Sequence, residues 1–263
     1  MFIVDTHVHA SPYWYEPVES LLFQMEANNV DKAVLVQLEG QQDNRYLFEC
    51  TRRFPGRFSP IVIIDQKRAD ATQTLKKLVE EGAQGIRMRA GARSPEPDPL
   101  AIWRTCGELN LPVSINGKET EFGSDEFRKL VQALPDVPFI IEHLGFVNPD
   151  QQPPYDDFRK VLALAKFSNT YIKVGGLNEI CKRPQPFRQP FYSVHGIPPF
   201  VKMVYEAFGP KRMMWGSNYP PVSQKEGYAN ALNYLVEHLS SFCNEADQEW
   251  IMGKTALSVF KFQ

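Results

Sequence analysis

The sequence has no long hydrophobic run and no closely paired cysteines. Its apolar stretches fall well short of the roughly 18 to 20 residues that a membrane-spanning helix needs. The N-terminus has neither the basic segment nor the apolar core of a signal peptide. The four cysteines are scattered without a CxxC pair, which is typical of reduced thiols. We therefore expect a cytoplasmic protein with no membrane partner.

The chain also has little net charge. At −2, the net charge gives no electrostatic reason to expect nucleic acid as a partner. Its 263 residues are enough for one large barrel or for two modest domains. Because the pattern described next runs through the whole chain, we expect a single domain over residues 1–263.

Short apolar runs rich in β-branched residues alternate with segments of helical period. Each run precedes a predicted helix, which favours parallel strands joined by right-handed crossovers. Eight such units in a chain of this length match an α/β fold, a distorted (β/α)8 TIM barrel. The predicted strands are Phe2–Asp5, Lys32–Gln37, Phe58–Asp65, Gly85–Met88, Pro112–Asn116, Pro138–His143, Thr170–Gly176 and Arg212–Ser217.

An open, doubly wound sheet is the main alternative to the barrel. Such a sheet usually carries a glycine-rich phosphate-binding turn after its first strand. Here the corresponding residues read THVHASP, which favours the barrel. The longest irregular stretch is the proline-rich segment Asn178–Pro199, which contains His195. Long loops of this kind often form lids or binding loops.

Polar residues stand at the carboxyl ends of the predicted strands, where the active sites of such barrels lie. His7 and His9 are two residues apart, so they share one face of an extended strand and can enter the same cavity. Imidazole binds divalent metals and also transfers protons near neutral pH. The residues alone therefore leave open a metal site, acid–base chemistry without a metal, and two structural histidines at a strand end.

Three motifs together resemble the amidohydrolase-2 branch of the amidohydrolase superfamily. DTHVHA lies at strand 1, IEHLG at strand 6 and WGSNYP at strand 8, and the C-terminal GKTALSVF is similar to the helix that closes such barrels. This branch includes metal-independent lactonases and zinc-dependent decarboxylases. The resemblance implies a TIM barrel with a C-terminal closing helix and an enzyme that acts on a small molecule.

By this resemblance, His7 and His9 match the strand-1 pair that binds a metal or polarises a substrate carbonyl, and His143 matches the strand-6 histidine that assists the water or the substrate. Metal-binding members usually have a histidine where this sequence has Asn116, and most members have an aspartate where it has Asn218. An amide cannot act as a base, although it can hold a water or a carbonyl. The alternatives are a divalent metal such as zinc, held by His7 and His9 with His143 as a third ligand, and metal-free catalysis.

Arg87 and Arg89 form a second cluster, also on one face of a strand. The planar guanidinium matches a carboxylate with two hydrogen bonds, so this pair is a candidate site for an anionic substrate. Structural ion pairs with Glu96, Asp98 or Glu108 are the alternative.

Aromatic residues flank two of the motifs. Tyr13 and Trp14 follow the HxH strand, and Tyr219 belongs to the strand-8 motif. We expect these rings to line the substrate pocket; covering the barrel rim is the alternative.

These observations favour a small-molecule hydrolase that opens a lactone or a related cyclic ester with an acidic substituent. In this hypothesis water attacks a carbonyl polarised by His7 and His9, His143 donates a hydrogen bond or moves a proton, and Arg87 holds the substrate carboxylate. Asn218 completes the catalytic set. The alternatives are a metal-dependent decarboxylase of an unsaturated or aromatic acid and a barrel that has lost catalysis and only binds a ligand. The sequence leaves a homo-oligomer open.

Overall fold

The strands follow one another around a single sheet in chain order. The computed structural model describes residues 1–95, 97–182, 192 and 196–263, and within these residues the sheet has eight strands, each parallel to its neighbour. This arrangement confirms the predicted (β/α)8 barrel. The strands are β1 (Val4–Val8), β2 (Lys32–Val36), β3 (Phe58–Val62), β4 (Gly85–Arg89), β5 (Val113–Asn116), β6 (Phe139–Ile141), β7 (Thr170–Val174) and β8 (Met213–Trp215).

Helices cover the outside of the sheet. Ser124 begins one of them, since its Oγ accepts a hydrogen bond from the Phe127 backbone N–H at 3.1 Å. No helix in the described part of the chain has the length and apolar character needed to cross a membrane. The helices are α1 (Val18–Ala27), α2 (Arg45–Arg53), α3 (Ala71–Glu80), α4 (Ala101–Glu108), α5 (Glu119–Phe122), α6 (Asp125–Ala133), α7 (Asp156–Leu162), α8 (Phe200–Phe208), α9 (Tyr228–Ser240), α10 (Glu245–Glu249) and α11 (Thr255–Val259).

Hydrogen bonds between the first and last strands close the barrel. The Thr6 hydroxyl donates to the Trp215 carbonyl at 2.6 Å. Just beyond β8, the Asn218 backbone N–H donates to the His7 carbonyl at 2.8 Å. Gly216 allows this close approach, because a Cβ at that position would lie 2.7 Å from the Cβ of His7. The strand-8 motif is therefore fixed directly against the HxH motif.

The N-terminal end of the barrel is filled by apolar side chains. Residues from five strands meet residues of the C-terminal segment in one buried cluster, which comprises Val4, Val34, Val36, Ile61, Ile140, Met214, Ala256 and Phe260. Ala256 lies in α11 and Phe260 directly follows it. The C-terminal helix thus closes the barrel, as the resemblance implied.

Strand β1 is longer than predicted and includes the first histidine of the HxH pair. The predicted strand ended at Asp5, whereas the pairing with β2 continues to Val8 after a shift in register between these two residues. The Val4 side chain points into the barrel, where it belongs to the apolar cluster at the N-terminal end. Because successive residues of a regular strand alternate between its two faces, the odd-numbered residues of β1 would then point outward. The irregularity changes this phase, so that His7 and His9 both face the interior.

Candidate active site

The two strand-1 histidines are buried at the carboxyl end of the barrel. Their ring centroids lie 4.9 Å apart, and the Nδ1 atom of His9 lies 2.7 Å from the Val36 carbonyl oxygen. Burial lowers the pKa of His9 to about 3 and that of His7 well below its usual value. Both imidazoles are therefore neutral at neutral pH.

His143 joins this pair because the chain turns sharply at the end of β6. His143 and Leu144 both have left-handed backbone conformations, with φ of 48° and 53°, which are uncommon for residues other than glycine. The turn places the His143 ring 4.4 Å from that of His7. Its Nδ1 lies 2.7 Å from Glu179 Oε1. All three histidines of the predicted site therefore converge, and one of them is backed by a carboxylate.

Glu179 lies in a short 3₁₀ turn that follows β7. Its side chain occupies the space over Gly175, where a Cβ would lie 2.2 Å from the Glu179 Cδ. The glycine is therefore required for the carboxylate to reach His143. The sequence alone did not place this carboxylate at the site.

A chain of hydrogen bonds behind the histidines connects residues of β4, β5 and β7 with Glu142, which directly follows β6. The buried Glu142 carboxylate accepts from Arg87 Nε at 3.0 Å, from Arg87 Nη2 at 2.7 Å and from the Ser114 hydroxyl at 2.7 Å. Lys173 Nζ donates to Ser114 Oγ at 2.9 Å and lies 3.2 Å from His7 Nδ1. This chain of contacts is called the buried polar network below.

The network contains two cations and one anion. Burial tends to raise the pKa of Glu142, but the charges of Arg87 and Lys173 outweigh it and hold that pKa at about 2. Burial lowers the pKa of Lys173 to about 8. At neutral pH the network therefore carries two positive charges and one negative charge, and the buried Asp5 carboxylate, whose pKa burial raises to about 6, also interacts with Lys173.

The Arg87 guanidinium is bound by other residues of the protein. Its Nε and Nη2 bind Glu142, and its Nη1 donates to the Gln37 carbonyl at 3.2 Å. Of the ion-pair partners considered from the sequence, Asp98 binds Arg104 instead, and Glu96 lies outside the described residues. Arg87 thus forms a structural ion pair, with a partner that the sequence did not suggest.

Arg89 lies further out, at the rim of the barrel. Its side chain is 64% exposed and pairs with Glu39, which also accepts from Asn116 Nδ2 at 3.0 Å. A cavity of about 220 Å³ opens here, and its lining includes these three residues together with Lys67 and Arg87. Through Arg87 the cavity borders the buried polar network.

The aromatic residues around the site are arranged at two depths. The Tyr15 ring lies 5.7 Å from that of His9, and the Phe146 ring lies 5.1 Å from that of His143. By contrast, the Tyr13 and Trp14 side chains, which the sequence analysis placed in the pocket wall, are 95% and 76% exposed.

Residues of the strand-8 motif contact the first strand mainly through their backbone. Tyr219 is buried and packs against Tyr228, with ring centroids 5.7 Å apart, while its carbonyl accepts from the His9 N–H at 2.8 Å. Asn218 is half-buried and has a left-handed φ of 60°. Its backbone bond to His7 places this residue beside the histidines.

The cysteines are unsuited to nucleophilic chemistry. All four are free. Burial raises the pKa of Cys50 and of Cys181 to about 12 and that of Cys243 to about 11, and it raises the pKa of Cys106 further still. The thiolate form is therefore negligible at neutral pH.

Within the described residues, His7, Glu142 and His143 form a group that could hold a metal, with ligand atoms within 4.8 Å of one another. However, both Glu142 oxygens accept hydrogen bonds from Arg87, and His7 Nδ1 faces the amine of Lys173. A metal-bound histidine normally donates its second ring N–H to an acceptor. The present hydrogen bonds therefore do not fit a divalent metal on His7.

Sequence reasoning missed Ser114 and did not assign Glu142 a role. Ser114 lies two residues before Asn116 on β5, so the alternation of a strand places both on the inward face. Glu142 directly precedes His143 at the end of β6. Strand alternation would have found Ser114 and, counted from the inward-facing Ile140, Glu142, whereas His143 reaches the site through the left-handed turn that follows.

The fold and the site define an amidohydrolase-type barrel. The chain belongs to the amidohydrolase family, whose model matches residues 4–262. It is 26% identical over 245 residues to a 4-sulfomuconolactone hydrolase from Hydrogenophaga intermedia, an alignment that covers 82% of this chain and 74% of that protein.

Solved structures of similar fold match nearly the entire chain. A probable 2-pyrone-4,6-dicarboxylic acid hydrolase from Acinetobacter baumannii with bound citric acid superposes with a TM-score of 0.78 at 19% identity, covering 98% of this chain and 99% of that one. An amidohydrolase from Burkholderia multivorans with bound zinc gives a TM-score of 0.81 at 17% identity, with full coverage of both chains. At these identities the likeness establishes the fold.

Proposed function

We propose that this protein hydrolyses a small lactone that carries an anionic group. The observation that carries the proposal is the buried cluster of His7, His9 and His143, in which Glu179 supports His143 and the buried polar network contacts His7. The similarity to a hydrolase that acts on 4-sulfomuconolactone, a lactone with an anionic substituent, supports the same substrate class.

His143 is the proposed general base. Its Nδ1–H donates to Glu179, which leaves Nε2 free to take a proton from water. The water oxygen then forms a bond to the lactone carbonyl carbon, and His7 donates a hydrogen bond to the negative carbonyl oxygen. The ring C–O bond breaks as His143 returns the proton to the leaving oxygen. Asn218, which lies beside His7, is suited to hold the water.

Arg89 is the proposed partner of the substrate anion. Arg87 is buried and binds the buried Glu142 through two of its nitrogens, whereas Arg89 pairs with the half-exposed Glu39 and is itself largely exposed at the open cavity, which Lys67 also lines. Arginine at a half-open site can bind a carboxylate or a sulfonate with two hydrogen bonds. Tyr15 and Phe146 supply flat walls next to the catalytic histidines, which suit a planar unsaturated ring. Tyr13 and Trp14, at the exposed rim, are proposed to contact the substrate's outer end.

A panel of matched lactones tests this proposal. Each pair consists of one lactone with a carboxylate or a sulfonate and one lactone with the corresponding neutral ester. Ring opening is measured as proton release in a pH-stat and by NMR of the product. We expect the anionic lactones to be opened. His143→Gln should lower kcat by roughly 10²- to 10⁴-fold. His238→Gln is the matched control, because His238 lies on α9 and packs against Phe242.

Two results would contradict the proposal. Release of carbon dioxide from unsaturated acids, without ring opening, would identify a decarboxylase. Tight binding of the lactones with no turnover of any panel member would identify a ligand-binding barrel.

A further inference from the structure

The two strand-1 histidines have opposite hydrogen-bonding partners. His9 Nδ1 faces the Val36 carbonyl oxygen, which can only accept, so the His9 proton lies on Nδ1 and Nε2 carries a lone pair. His7 Nδ1 faces Lys173 Nζ, at 3.2 Å. An ammonium group can only donate, so His7 Nδ1 is an acceptor here.

We propose that Lys173 is a positioning residue that fixes the His7 proton on Nε2, so that His7 donates a hydrogen bond to the substrate carbonyl and does not serve as a metal ligand. A neutral imidazole carries one N–H, and an acceptor role for Nδ1 places that hydrogen on Nε2. The assignment of the proton rests on the contacts alone. The identification of a lactone carbonyl as the acceptor for this Nε2–H rests on the proposed function.

The rest of the network holds Lys173 in this role. The Ser114 hydroxyl donates to Glu142 at 2.7 Å, so its oxygen is left to accept from Lys173 at 2.9 Å. Two of the Lys173 hydrogens are then directed, one to Ser114 and one to His7. Glu142, fixed by Arg87, anchors the chain at its far end.

The unused nitrogen of His7 is placed for a ligand. Nε2 is buried and has no hydrogen-bond partner among the residues that the structure describes. A buried N–H without a partner is costly, so such groups often mark a place that substrate completes. A metal shared by His7 and His9 would instead require a lone pair on the Nε2 atom of each. The Lys173 contact places a hydrogen on Nε2 of His7, so this atom has no lone pair for a metal.

Imidazole ¹⁵N NMR tests the assignment directly. Long-range ¹H–¹⁵N correlations separate the two neutral tautomers, and His7→Gln assigns the His7 signals by their loss. We expect the Nε2–H pattern for His7 in the wild-type protein and loss of that preference in Lys173→Met, which fills the same space without a donor. Lys254→Met is the control, because Lys254 is half-exposed and pairs with Glu249.

Zinc titration by calorimetry supplies a second readout. Removing an interaction next to a metal ligand commonly changes metal affinity by roughly 10- to 100-fold, and here the change should be a gain in Lys173→Met. With an anionic lactone, kcat should fall while KM stays within about twofold, because the interaction acts on the carbonyl and not on the substrate anion. Ser114→Ala should weaken the tautomer preference in the same direction if Lys173→Met does not fold.

The outcomes separate this inference from the proposed function. An Nδ1–H pattern for His7 in the wild-type protein, or an unchanged pattern in both variants, would overturn the inference whatever the activity. The expected pattern in a protein that opens no lactone would uphold the positioning role of Lys173 and refute the proposed function.

Discussion

Arg87 and Glu142 form a buried two-point ion pair that joins β4 to the residue directly after β6, with Nε–Oε1 and Nη2–Oε2 distances of 3.0 and 2.7 Å. The pair fixes the carboxylate to which the Ser114 hydroxyl donates, and so it indirectly fixes Lys173. The ion pair also occupies the guanidinium of Arg87, which the sequence suggested as the substrate-binding residue. For this reason we propose Arg89 as the residue that binds the substrate anion.

Glu142→Gln should destabilise the protein by about 3 to 5 kcal/mol at pH 7, because it leaves Arg87 and Lys173 buried without an anion. The folded-state pKa of Glu142 is about 2, below its ordinary value of 4.5. The stability that its charge contributes is therefore complete above about pH 4.5 and is lost as the pH falls toward 2. Urea unfolding at several pH values measures the difference from wild type, which should narrow on acidification.

The control for this prediction is Glu49→Gln, since Glu49 is half-exposed and pairs with Arg53 only at 3.5 Å. It should cost less than about 1 kcal/mol at any pH. A difference between wild type and Glu142→Gln that stays constant from pH 7 to about pH 3 would show that the charge of this carboxylate does not stabilise the fold.

Glu179→Gln should lower kcat by roughly 10- to 100-fold with little change in KM, because the amide no longer stabilises the protonated His143 imidazole. Gly175→Ala should act in the same direction, since its Cβ would lie 2.2 Å from the Glu179 Cδ and displace the carboxylate. Gly91→Ala is the control, because a Cβ there meets nothing within 4 Å. Steady-state kinetics on an anionic lactone measure the effect, with circular dichroism to verify folding. An unchanged kcat in both site variants would refute the role of Glu179 in supporting His143.

Arg89→Met should raise KM for an anionic lactone by about tenfold or more and leave KM for the neutral ester almost unchanged. The Arg89 side chain is 64% exposed at the cavity, so the substitution should not affect folding. Arg93→Met, which removes a rim arginine paired with Glu126, is the matched control. Equal effects of Arg89→Met on the charged and neutral substrates would place the anion elsewhere.

Phe260→Ala should destabilise the protein by about 3 to 5 kcal/mol, because it opens a cavity in the barrel floor between Phe260 and the strand residues Val4 and Met214. KM should be unaffected at temperatures where the variant is folded, since the histidines lie at the opposite end of the barrel. Phe262→Ala, at a partly buried position against the same cluster, should cost clearly less. Thermal unfolding of the two variants measures both effects; equal losses would argue against the closing role of this segment.

The barrel was predictable because its strands are covered on both faces and therefore read as short apolar runs between helical periods. The motifs then placed His7, His9 and His143 at one end of it. The register shift in β1 was not predictable, because bulges depend on pairing with the neighbouring strand rather than on a local pattern.

The partners of the charged residues were also beyond sequence reasoning. Arg87 and Glu142 are 55 positions apart, and His143 and Glu179 are 36 apart, so their pairing depends on strand order and on a turn with left-handed residues. The sequence offered local acidic residues for Arg87, although local partners are reachable only when the side chains point the same way. Strand alternation, applied to every strand, would have reduced the number of candidate partners for Arg87 to acidic residues that face the barrel interior.

Ring opening in ¹⁸O-labelled water tests the central claim most directly. Wild-type protein is incubated with a lactone that carries a sulfonate or carboxylate, and the product is analysed by mass spectrometry and NMR. We predict a ring-opened acid with one ¹⁸O atom in its new carboxyl group, formed at a rate that His143→Gln lowers by roughly 10²-fold or more and that His238→Gln leaves unchanged. A product without the label in that group, or the same rate in His143→Gln as in wild type, would contradict hydrolysis by the His143–Glu179 pair.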